Sequence, residues 1–355
     1  MPTIFFTGFP GFLGSELLPR VVARTDDVAL CLVQPKFRAL AEQRAKEIEA
    51  AHPALKNRIR LIDGDLTQPL DHVPADDVRE IYHLAAVYDI NVAREVGMRV
   101  NVVGTTRVLD LAERASRLER MHYVSTCYVS GRYPGVFKED DLEIAQTFNN
   151  FYEETKHLAE VEVRKRMSRV PITVYRPSVV VGDSSTGATQ KFDGPYFVMQ
   201  WLMRQPRLAV LPVVGRPSRY AFNVVPRDFM IAAMTYLSGL KSNTGATYAI
   251  ADPDPLTVDE TINTIAAATN RTVLRIPMTR AMAKGALQYV PGVYRLMRIP
   301  ATAVDYFVHP TTYDTTRATA DLEGSGIRPP KLRDYAPRLV EFARRHPEIG
   351  SAAMV

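Results

Sequence analysis

The chain has 355 residues, 46% of them hydrophobic and 23% charged, enough for a sizeable core in one large domain or two of ordinary size. A net charge of +5 suits a phosphorylated cofactor, an acyl-CoA or an anionic membrane surface as well as an ordinary solvated face, and no nucleic-acid signature accompanies it. Two distant cysteines in apolar runs, Cys31 and Cys127, exclude a disulfide-stapled framework and fit a cytoplasmic protein.

The first apolar, β-prone run is residues 3–7, and it lacks the basic start of a secretion signal. A glycine-rich turn leads to a helical stretch over residues 15–23. Residues 28–33 read as a second strand and residues 36–51, rich in Ala, Glu, Arg and Lys, as a helix. Further strands are predicted at residues 59–62, 80–84, 120–124 and 172–175, with helices at 99–115 and 152–167 between them. This alternation predicts an α/β fold, a doubly wound parallel sheet of the Rossmann kind. After Gly182 the rhythm changes. A Gly- and Ser-containing loop covers residues 183–194 and a helix follows near 196–203. Strand-like residues 222–225 and 247–250 are candidates to return to the sheet. Residues 277–310 are rich in Met, Tyr, Val, Leu and Arg, and prolines at 291, 300 and 310 cut them into short helices. The expected organisation is a dinucleotide-binding domain over 1–182, rejoined by segments near 222–251. Residues 183–221 and 252–355 then form mainly a smaller C-terminal cap that binds substrate. No run of about 18 apolar residues is present to span a bilayer, and no CxxC or HExxH signals a metal.

The turn Thr7-Gly8-Phe9-Pro10-Gly11-Phe12-Leu13-Gly14 sits between the first strand and the first helix. Gly8 permits the tight turn, Gly11 lets a pyrophosphate approach the backbone, and Gly14 lets helix and strand pack closely. The helix start adds unpaired N–H groups and a positive dipole end. After the second strand come Gln34, Lys36 and Arg38, with no acid to bind a bare ribose. That favours NADP, although Gln34 could serve NAD and the two cations could be a solvated helix turn. Asp65 and Leu66, after the third strand, are placed to meet the adenine. Ala85 and Ala86, after the fourth, leave room for a cofactor on the backbone. His83 reads as a packed strand residue.

Tyr152 and Lys156 are four apart on a predicted helix and share one face. A nearby ammonium is expected to lower the phenol from its usual pKa of about 10. Tyr152 is then the proton donor to a carbonyl oxygen and Lys156 also holds the cofactor ribose. Thr126, at the end of the preceding strand, is the candidate orienting hydroxyl, with Ser125 second.

These pieces in this order resemble the extended short-chain dehydrogenase/reductase superfamily, and within it the fatty acyl-CoA and thioester reductases. The residues that carry the likeness are the glycine turn, Gly64–Thr67, His83–Asp89 and Tyr152–Lys156. Most specific are the run Tyr175–Gly187 and Asn223–Phe229. The resemblance implies a catalytic trio of Thr126, Tyr152 and Lys156, and a nicotinamide pocket lined by Pro177 and Val179. It implies a hydrophobic substrate: an acyl thioester, an aldehyde or, in relatives of this size, a sterol. Nucleotide-sugar chemistry and a non-catalytic cofactor sensor are the remaining readings. Gln34 departs from the arginine usual in these reductases. The segment 278–307 joins apolar residues, among them Met282, Leu287, Tyr289, Val293, Tyr294 and Leu296, to Arg280, Lys284, Arg295 and Arg298. It is expected either to form a greasy, cationic entrance with peripheral membrane contact or to be the cap's core with a solvated basic face. A homodimer is left open.

Overall fold

The computed structural model describes residues 2–291, 295 and 297–350. Its first strands are β1 (Thr3–Thr7), β2 (Val28–Val33), β3 (Ile59–Asp63), β4 (Val78–His83) and β5 (Arg120–Val124). They are followed by β6 (Gly135–Phe137), β7 (Ile172–Pro177), β8 (Val179–Val181), β9 (Leu208–Val214) and β10 (Val224–Pro226). The last are β11 (Thr247–Ile250), β12 (Thr272–Met278) and β13 (Thr311–Tyr313). The helices used below are α1 (Gly14–Val22), α2 (Arg38–Ala51), α3 (Arg94–Gly97), α4 (Gly104–Arg114) and α5 (Phe151–Arg166). They continue with α6 (Pro195–Met203), α7 (Arg227–Gly239), α8 (Val258–Thr269) and α9 (Arg280–Tyr289).

Seven parallel strands make one sheet in the order β11-β7-β5-β4-β1-β2-β3. The order reverses beside β1, whose two neighbours are β2 and β4. Parallel strands must be covered on both faces, and side-chain alternation along β1 does this. Ile4 and Phe6 face a core built with Leu17, Leu18 and Val21 of α1 and Phe229, Met230 and Met234 of α7. Phe5 points the other way, into a core with Val108 and Leu109 of α4 and Ala159 and Val163 of α5. A third apolar cluster joins α6, α8, β9, residues 301–308 and the helix Leu332–Arg345.

The predicted strands of the first half lie where expected. Strand β11 joins the sheet edge through β7. The strand predicted at 222–225 does not: β10 pairs with β8 in a separate two-stranded ladder. Strands β9 and β12, unpredicted, pair in parallel. Each carries a proline, Pro212 and Pro277, which lacks a ladder donor and is tolerated only where one side of the strand is free. The helix predicted from 99 begins at Arg94 and passes through a π-helical segment, Met98–Val103, before α4.

Candidate functional site

The glycine turn closes against the exit of β4. Gly8 has φ +93°, and a Cβ there would sit 2.9 Å from the Ala85 nitrogen and Leu84 Cβ. A Cβ on Gly11 or Gly14 would sit 2.8 or 2.4 Å from the Gly8 carbonyl oxygen. No side chain caps the start of α1; the Ser15, Glu16 and Leu17 N–H groups donate to the Gly11 and Leu13 carbonyls, so an anion would meet the N–H groups of the turn just ahead of them. The turn therefore fits a dinucleotide pyrophosphate. Thr7 is buried: its hydroxyl bonds His83 Nδ1 at 2.7 Å and accepts from the Ala85 N–H at 3.2 Å. It holds the β4 exit in place instead of facing the turn's open side. His83 Nε2 meets the Thr105 hydroxyl at 3.0 Å, and burial holds the imidazole down to about 3, which makes it a neutral packed residue. Leu13 packs on the sheet core, and Phe12 lies under the Arg227 guanidinium, 5.2 Å away.

At the end of β2, Gln34 Nε2 donates to Asp65 Oδ2 at 3.1 Å, and Asp65 Oδ1 accepts from the Thr67 N–H at 2.8 Å. Arg38 donates to Glu42 at 2.8 Å and Asp63 at 2.9 Å, all three being exposed. Lys36 lies 5.0 Å from the Phe37 ring on the turn before α2. Leu66 is buried against Gly104, and Ala85 and Ala86 are half-buried.

Asn150 caps α5 by accepting the Glu153 N–H at 3.0 Å, acids occupy the first turn and three cations the last, all favourable to the helix dipole. This capped helix presents Tyr152 and Lys156. Both are buried. Thr126 lies near enough to the Tyr152 phenol to draw it down in part; its hydroxyl accepts from the Tyr128 N–H at 3.2 Å and lies 3.5 Å from the Pro177 carbonyl. Ser125 donates instead to Glu160 at 2.6 Å. Lys156 Nζ donates to the Val124 carbonyl at 2.9 Å and the Tyr123 hydroxyl at 3.1 Å, and burial brings it down to about 8. The phenol departs from expectation. Burial raises Tyr152 and Thr126 draws it back only in part. The Lys156 ammonium is turned toward the end of β5, so its expected lowering of the phenol is not seen.

Sequence reasoning missed several residues around this group. Glu160, one turn beyond Lys156 on the same face, is fully buried and binds Arg176 at 2.6 Å; an acid in register with Tyr152 and Lys156 was the available signal. Glu153 is buried and accepts from the Asn149 N–H and amide at 2.8 and 3.1 Å. Its neighbour Tyr306 also accepts from Asn150 at 2.9 Å.

Tyr152 opens on a cleft enclosing about 1020 Å³ with its mouth. Tyr88, Tyr128 and Val179 surround it, and Phe197, Val198, Ile262, Ile265 and Phe307 extend the apolar wall. Tyr88 meets Tyr152 edge-on at 5.1 Å. At the mouth Lys191 pairs with Asp193 at 2.9 Å and lies 4.2 Å from the Tyr88 ring. Asn91 accepts from Thr302 at 2.8 Å, tying the two walls together.

Of the 278–307 segment, Leu287 and Ile299 are buried while Met282, Tyr289 and Val290 are exposed. Arg280 and Lys284 do not face outward freely, because both bind the buried Asp305, at 2.6 and 2.9 Å. Val293, Tyr294 and Leu296 lie outside the described residues. Among the described residues no helix is long and apolar enough to cross a membrane and no cluster suits a metal.

Comparison with known proteins gives a consistent picture. The family model described as Male sterility protein, an NAD-binding family, matches residues 6–234. A linear gramicidin synthase of Brevibacillus parabrevis is 27% identical over 73% of this chain and 5% of its own length. Fatty acyl-CoA reductase 1 of Gallus gallus is 27% identical over 54% of this chain and 46% of its own. The chain thus spans under half the length of these curated relatives. Among solved structures, the terminal R domain of the myxalamid PKS-NRPS pathway superposes with a TM-score of 0.82, 24% identity and coverage of 99% and 93%. UDP-glucuronic acid 4-epimerase from Bacillus cereus, solved with NAD, gives 0.68, 17% and 99% of both chains.

Proposed function

The chain belongs to the male sterility protein family, with the fold of the extended short-chain dehydrogenase/reductases, and from that premise we propose that it reduces the carbonyl of an acyl thioester or fatty aldehyde with NADPH. One observation carries this reading: Tyr152, with Thr126 buried behind it, lines a large, mostly apolar cleft, which suits a lipid chain better than a sugar. The nicotinamide, when bound, supplies the hydride. Tyr152 supplies the proton to the carbonyl oxygen, and Thr126 holds that oxygen and the phenol in one geometry. The high phenol pKa is appropriate to this direction, since a protonated tyrosine is the form that donates. Lys156, buried beside the strand end, holds the cofactor ribose. A thioester so reduced becomes a hemithioacetal, which releases thiol and aldehyde. Relatives named for fatty acyl-CoA reduction support the substrate class.

The test is NADPH oxidation with acyl-CoA substrates of increasing length. An apolar site requires kcat/KM to rise with chain length, because each buried CH₂ contributes about 0.8 kcal/mol. Equal rates on short polar carbonyls and long acyl chains would overturn the substrate class.

A further inference from the structure

Helix α8 forms one wall of the cleft and carries three threonines, of which two behave ordinarily. Thr264 donates to the Glu260 carbonyl at 2.8 Å, and Thr269 to the Ile265 carbonyl at 2.8 Å. This back-bonding is the usual way a helix satisfies a threonine hydroxyl. Thr261 does not do so. Its residue is 4% exposed and lines the cleft, yet its hydroxyl, shut off from solvent in this rotamer, has no hydrogen-bond partner among the described residues, and one χ1 step would exchange it with the methyl. The carbonyl one turn back, on Thr257, accepts the Thr261 backbone N–H at 2.9 Å. Its neighbours along this wall are apolar: Val258, Ile262, Ile265 and Phe222. A buried hydroxyl left unpaired is costly, and a valine of the same shape would avoid that cost.

We propose that Thr261 is a specificity residue that reads an oxygen on the substrate's chain. The acyl group whose carbonyl meets Tyr152 carries a hydroxyl or oxo group farther along, and that group completes the Thr261 hydrogen bond. The inference rests on the reductase reading above and narrows its substrate class from plain to oxygenated acyl chains. Thr261 and Tyr152 stand on different walls, α8 and α5. The hydrogen bond is therefore remote from the reacting carbon and acts on binding, so it is expressed in KM with kcat unchanged.

The experiment compares dodecanoyl-CoA with its chain-hydroxylated isomers, the hydroxyl moved one carbon at a time, in wild type, T261V and T261S. Wild type is expected to favour one isomer over the plain chain by about tenfold in kcat/KM, the worth of one neutral hydrogen bond. T261V should abolish that preference and T261S should keep it. A wild type indifferent to the hydroxyl at every position, or a preference that survives in T261V, overturns the proposal. Binding of 1-dodecanol and of dodecanediols, measured by calorimetry, separates this from the parent reading. If no thioester is turned over but T261V selectively weakens one diol, the reductase assignment fails and the Thr261 assignment stands. If thioesters are reduced and no diol outbinds the mono-alcohol, the reverse holds. Absence of both turnover and selective binding overturns both.

Discussion

Tyr152 and Glu153 are consecutive residues with opposite tasks, and both are shaped by burial. Tyr152→Phe removes only the hydroxyl, so turnover should fall by about 10²-fold or more with cofactor affinity nearly intact; steady-state rates and a fluorescence titration of NADPH check it. Burial raises the Glu153 carboxyl from its usual 4.5 to about 7, against the pull of Asn149 and Tyr306. Between these values the folded protein binds a proton that the unfolded chain has released, so this residue lowers stability as pH rises from about 4.5 to about 7. The buried histidines His83 and His309 are held low and act in the opposite sense. The Glu153 effect is therefore read as a difference: wild type minus Glu153→Gln, in urea melts across that range, should decline with rising pH. If NADPH binds as proposed, its 2′-phosphate meets Arg38, whose ion pairs are exposed and each worth little, so they can yield to a phosphate. Replacing Lys36 and Arg38 by alanine should raise the KM for NADPH and leave that for NADH little changed. Tyr152, Lys156 and Thr126 were named from the sequence through the family resemblance, and the structure buries all three. The direction in which Lys156 points was not legible there, because it depends on Val124 and Tyr123 across the fold.

Elements were legible where one local rule governed them. The glycine turn is such a case: a helix start must pass within van der Waals distance of β1's exit. A methyl on Gly14 would lie 2.4 Å from the Gly8 carbonyl oxygen, closer than any relaxed contact. Gly14→Ala should therefore lower the melting temperature and weaken dinucleotide binding by at least tenfold, both measurable by thermal melting with and without NADPH. Where long-range pairing decides, the sequence was silent. The strands β9 and β12 alternate poorly and contain prolines, and only their mutual pairing across a long separation makes them strands. The strand at 224–226 was visible as a strand, but its partner β8 was not, since a three-residue ladder has no sequence signal of its own.

At the scale of the whole molecule, the Asp305 carboxylate links α9 to the 301–308 turn at the cleft wall. Asp305→Ala leaves Arg280 and Lys284 facing a void. Both cations are partly exposed, so the expected cost is moderate, about 1–3 kcal/mol. A urea midpoint shift, with a raised KM for a long-chain substrate and a smaller change in kcat, checks it. The composition-level reading that this segment is a cationic face was only partly legible, because nothing local indicates that a single buried acid gathers two of its cations. The helix Leu332–Arg345 has a consequence of another kind. It buries Leu332, Tyr335, Leu339 and Val340 in the same cluster as Val258 and Ile262 of α8, so the cleft wall is braced by residues some seventy positions later in the chain. During synthesis that wall lacks this brace until residue 345 has left the ribosome. The face of α8 that this helix covers stays uncovered in that interval, a vulnerable stage in a chain made at about 5–20 residues per second. The cleft wall is thus completed only once the helix Leu332–Arg345 has been made and has folded onto α8.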